Sequence, residues 1–68
     1  MKVKQVKVPP KDGTQFVAMW VFGTGLWSES CRYNEHGYLQ VFSNELDDFE
    51  TGTGLPDCEM LYFVLEGQ

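Results

Sequence analysis

Apolar and polar positions alternate along much of this chain with a period of two. Such alternation marks β-strands with one face in a core. Residues 2–8 read as a strand with Val6 and Val8 on one face and Lys2, Lys4 and Lys7 exposed or at an edge. Val3 is out of phase with both valines, which predicts a bulge or a strand end. Pro9-Pro10-Lys11-Asp12-Gly13 is a turn, because the prolines cannot donate to a ladder and Asp-Gly favours reversal. Residues 15–22 form the most apolar segment. Phe16, Ala18, Trp20 and Phe22 share one face, and Val17, Met19 and Val21 share the other. Both faces being apolar, this strand is expected to be central, covered on both sides or open on one side to a partner.

Gly23-Thr24-Gly25 predicts a tight turn into a strand over 26–33. That strand has Trp27, Glu29, Cys31 and Tyr33 on one face. Asn34-Glu35-His36-Gly37 reads as a four-residue hairpin connection, with Gly37 suited to a left-handed position. The return strand, 38–43, puts Leu39 and Val41 opposite Tyr38 and Phe42. Residues 44–50 carry two readings. Asn44 can cap one helical turn that faces Leu46 and Phe49 inward, or the segment is a wide acidic loop into another strand. Residues 51–56, rich in Gly and closed by Pro56, end it in either case. Residues 59–66 form the last strand, apolar on both faces.

Five short strands with no long helical period predict an all-β fold, a small antiparallel sheet or open barrel. The alternative is α+β, with one short helix at 44–50 over the sheet. At 68 residues the chain is expected to be one small domain, 1–68, with a thin stability margin. The lysine-rich start lacks the apolar stretch of a secretory signal, so a cytoplasmic protein with two free, mostly buried thiols, Cys31 and Cys58, is expected rather than a disulfide. No run approaches the ~20 apolar residues of a membrane span.

Candidate chemistry is sparse. His36 is the one histidine and lies in a predicted turn, so a Cys31–His36 pair lacks an orienting third group. Cys31, His36, Cys58 and Asp57 match no zinc spacing. Neither Gly23-Thr24-Gly25 nor Gly52-Thr53-Gly54 is followed by the Lys-Ser/Thr pair of a phosphate loop. The acidic residues lack a calcium-loop pattern. No catalytic residue, cofactor or metal is therefore assigned, and an enzyme is not expected.

Charge changes the picture more. Ten carboxylates oppose five basic residues, giving a net charge of −5. The balance is uneven along the chain: +3 over residues 1–12 and −8 over residues 13–68. A surplus of this sign disfavours direct nucleic-acid binding. Six carboxylates fall between Glu45 and Glu59 with no basic residue among them. Ten aromatics are more than a thin core of this length encloses, so some are expected to stay partly exposed. Aromatic anchors inside a charged rim are the usual anatomy of a protein interface.

The expected docking surface comprises Glu45, Asp47, Asp48, Glu50, Asp57 and Glu59, with Phe49, Tyr38 and Phe42 as anchors. The chain resembles, in size, acidity and β-rich aromatic composition, small accessory proteins of bacteriophages that bind and block host enzymes. That resemblance covers no motif and transfers no residue. It implies a non-enzymatic inhibitor or modulator of a basic, nucleic-acid-handling protein. The alternative is an assembly subunit, such as a homodimer, whose strands 15–22 and 59–66 are completed by another copy.

Overall fold

The computed structural model describes residues 2–52 and 54–66. It contains six strands and, among the described residues, no helix: β1 (Lys2–Val6), β2 (Phe16–Phe22), β3 (Gly25–Tyr33), β4 (Leu39–Ser43), β5 (Asp48–Thr51) and β6 (Leu61–Glu66). They form one open sheet in the order β1-β6-β2-β3-β4-β5, with every neighbouring pair antiparallel. The fold class is the all-β sheet that the alternation predicts.

There are six strands rather than five, and of the two readings of residues 44–50 the structure takes the loop into another strand and not the helix. Asn44–Asp47 is a turn, and Asp48 starts β5. Asp47 takes a left-handed φ of 53°, which stops a right-handed helical turn. Leu46, the other apolar residue of the supposed helix, stays exposed. The first strand ends at Val6 rather than reaching Val8, and it pairs with β6 without a bulge. Val3 therefore faces away from Val6. The turn expected at 52–54 includes Thr53, which lies outside the described residues; Gly52 beside it has φ 96°.

The register sorts side chains onto two faces. On the covered face lie Phe16 and Ala18 of β2, Cys31 and Tyr33 of β3, Leu39 and Val41 of β4, and Tyr62 and Val64 of β6. Phe16, Ala18, Cys31 and Val41 are buried. Leu55 and Met60, from the segment joining β5 to β6, pack against them. The β1–β2 connection contributes Lys11, whose Nζ stands 5.5 Å from the centre of the Tyr33 ring. Phe16 stacks near Tyr33 and meets Tyr62 edge-on, with ring centroids 5.9 and 6.0 Å away.

The hairpins follow their turn chemistry. Gly23 (φ 63°) turns β2 into β3. In the β3–β4 connection Asn34 Oδ1 accepts from the amides of His36 and Tyr38, both at 2.9 Å, and Gly37 takes φ 83° as its position requires.

Candidate docking surface

The second face of the sheet carries Val3, Leu61, Phe63 and Leu65 from β1 and β6, and Val17, Met19, Val21 and Leu26 from β2 and β3. Among the described residues Cys58, Glu59 and Met60 border its β2–β3 end, where they line a depression with Met19, Val21, Leu26 and Leu61. Val3, Val21, Leu26, Leu61 and Leu65 are all at least half exposed. Val3, Val17, Met19, Phe63 and Leu65 outline an almost wholly apolar depression there. Monomers seldom leave a contiguous apolar surface of this kind without a use for it.

Phe42 of β4 and Phe49 of β5 belong to the same face. They pair across the strands, with ring centroids 5.5 Å apart at 75°. The Arg32 guanidinium sits 4.1 Å from the Phe49 ring centre, and its Nε donates to Gln40 Oε1 at 2.8 Å. The alternation along β2 and β3 places Ser30 between Val17 and the Phe42–Phe49 pair. An apolar band thus runs from Phe63 to Phe49, interrupted only by a small side chain.

The predicted docking residues divide. Glu45, Asp47, Asp48 and Glu50 gather on the β4–β5 hairpin, at one free edge of the sheet; the register puts Asp48 and Glu50 on the face opposite Phe42 and Phe49. All four carboxylates are exposed. Glu59 does not join them. It borders a depression with Met19, Trp20, Val21 and Leu26, near the β2–β3 turn, and Asp57 is exposed in the same segment. Tyr38 is exposed before β4, in the connection that Asn34 closes. The opposite edge, β1, carries Lys2 and Lys4, and Lys4 pairs with Glu66 at 3.5 Å. The sheet is therefore basic at one edge and acidic at the other.

Val3, Leu26, Leu61 and Leu65 went unnoticed as site residues in the sequence. Their signal was the second apolar face of 15–22 and 59–66, which shows the face but not what covers it.

The remaining chemistry is dispersed. Cys31 and Cys58 are both free; Cys31 is buried as expected, whereas Cys58 is exposed. Burial, and secondarily the charge of Glu29, push the Cys31 thiol up to about 11. His36 lies exposed beside Glu35, 3.5 Å from its carboxylate. Among the described residues no three His, Cys, Asp or Glu side chains gather as a metal site. Comparison of the chain with protein-family models, with curated proteins and with solved structures finds no match.

Proposed function

We propose that this chain is a non-enzymatic binding protein that docks on another protein through its open sheet face. The observation that carries the reading is the adjacency of apolar and acidic surface. The Phe42–Phe49 pair continues the exposed apolar face, and the same sheet edge is acidic, with Glu45 and Asp47 in the β4–β5 turn and Asp48 and Glu50 on the reverse side of β5. An apolar centre with a charged border fits a partner that offers basic residues around an apolar groove. Proteins that handle nucleic acids carry such basic surfaces. Occlusion of that surface is the proposed mode of action, an inhibitor or modulator competing with phosphates for the same lysines and arginines. The carboxylates steer the encounter and set its salt dependence, and the aromatic pair supplies the contact that persists.

The test is affinity capture with the intact protein and with an E45Q/D47N/D48N/E50Q variant. Neutralising four exposed carboxylates is expected to weaken binding by about 1–3 kcal/mol, since exposed ion pairs contribute roughly 0.2–1 kcal/mol each. Raising salt from about 50 to about 500 mM is expected to reduce capture in parallel, because the Debye length shrinks several-fold. A target held equally by both proteins, at both salt concentrations, contradicts the acidic rim.

A further inference from the structure

Both outer strands of the sheet have a free edge. Among the described residues β1 pairs only with β6, and β5 only with β4. The outward N–H and C=O groups of such an edge are a template for a further strand. Direction, side-chain facing and charge decide which strand fits.

Every neighbouring pair in the order β1-β6-β2-β3-β4-β5 is antiparallel, so β1 and β5 run in opposite senses. A second copy set alongside in the same orientation therefore offers its β1 antiparallel to β5, the pairing used throughout the sheet. The faces match as well. One row of cross-strand neighbours, Lys4, Val64, Phe16, Cys31, Val41 and Glu50, joins the two edges, and directly opposed residues project to the same side. Lys2, Lys4, Asp48 and Glu50 thus all stand on the covered face, and all four are exposed. Val3 and Phe49 stand on the other.

Charge then selects both the edge and the register. β1 beside a second β1 opposes lysines to lysines, and β5 beside a second β5 opposes carboxylates to carboxylates, which destabilises either ladder. β1 beside β5 sets Lys2 opposite Glu50, Val3 opposite Phe49 and Lys4 opposite Asp48. A slip of two residues either way keeps only one of the two charge pairs, and a slip of one sends the charges to opposite faces. Lys4 already meets Glu66 at 3.5 Å, and its ammonium has donors for a second carboxylate. We propose that β1 of one copy adds to β5 of the next, extending the sheet edge to edge in this register. Each copy offers one edge of each kind, so the pairing repeats from copy to copy. It leaves the open face free, and Val3 carries the apolar band beyond Phe49.

Sedimentation velocity of the full chain over about 1–500 µM reads the association, which follows mass action. The mass is expected to climb above 7.8 kDa as concentration rises. K2E/K4E makes both edges acidic and D48K/E50K makes both basic. Each variant alone, with an unchanged β circular dichroism spectrum, is expected to associate at least about tenfold more weakly at low salt. Mixing the two is expected to restore association, because each variant then meets an edge of opposite charge. Net charge cannot produce that recovery: K2E/K4E goes from −5 to −9 and D48K/E50K from −5 to −1, so both remain negative. A natural chain that stays monomeric, either variant associating as tightly as the natural chain, or a mixture no tighter than its components would overturn the proposal. If a variant does not fold, amide hydrogen exchange of the natural chain decides. Lys2–Val6 and Asp48–Thr51 are expected to gain protection with concentration; edges that exchange equally fast at both ends of the range contradict the pairing.

Discussion

Ala18 sits at the centre of the molecule with no exposed surface, on β2 between Glu29 and Tyr62 of the neighbouring strands. A larger side chain has no room there. Ala18→Leu is expected to cost about 1–3 kcal/mol in urea unfolding, the range for overpacking a filled core. Cys31, one strand over, is buried and neutral. Its thiol pKa lies above that of the unfolded chain, so the folded state holds the proton more tightly. The resulting stability is fully present below the unfolded thiol value and is lost as pH rises from there through about 11. Stability of the natural protein is therefore expected to fall more steeply above pH 9 than that of Cys31→Ala, by up to about 1.4 kcal/mol per pH unit. Parallel slopes in the two proteins would contradict this. Sequence alternation placed Ala18 and Cys31 on one face each, but not the depth that makes them intolerant. Depth depends on Leu55 and Met60 arriving from a remote segment.

At the scale of elements, the β3–β4 hairpin was legible almost entirely. Its strands alternate, Asn34 and Gly37 are the residues its connection needs, and both play the expected parts. The β4–β5 hairpin was ambiguous for a physical reason. Asn44 followed by acidic residues also suits a helix start, and β5 is only four residues long. Long-range contacts decide it, namely Phe49 on Phe42 and Arg32 over Phe49. Phe49→Ala is accordingly expected to cost about 2 kcal/mol, through lost burial, ring pairing and cation–π contact. Leu46→Ala, at a position 62% exposed, is expected to stay within about 0.5 kcal/mol. A helical 44–50 would make Leu46→Ala costly as well, because Leu46 and Phe49 would then both face the core. The left-handed turn residue gives a separate check. Asp47→Gly is expected to raise stability by up to about 1 kcal/mol and Asp47→Val to lower it by at least that much.

For the whole molecule, the governing fact is one sheet covered on one side. Domains usually bury a sheet between two layers. Here, among the described residues, four buried ones make the core, while one face stays apolar and open. The charge run was read from the sequence as one acidic segment, and the fold divides it. The hairpin carboxylates share an edge with the aromatic pair, and Glu59 lies beside the β2–β3 turn instead. The basic first strand and acidic fifth strand, far apart in sequence, become opposite edges of one sheet. That arrangement depends on β6 inserting between β1 and β2, a long-range pairing that no local pattern announces.

The central claim is that the open face is where this protein associates. Methyl NMR of the natural chain, titrated with the protein retained in affinity capture, tests it without any substitution. Val17, Val21, Leu26, Leu61 and Leu65 report the open face, and Val6, Leu39, Val41, Leu55 and Val64 report the covered one. The prediction is that the first group shifts along one binding curve as that protein is added while the second holds nearly still. Unmoved open-face methyls, or shifts centred on the covered face, would contradict it.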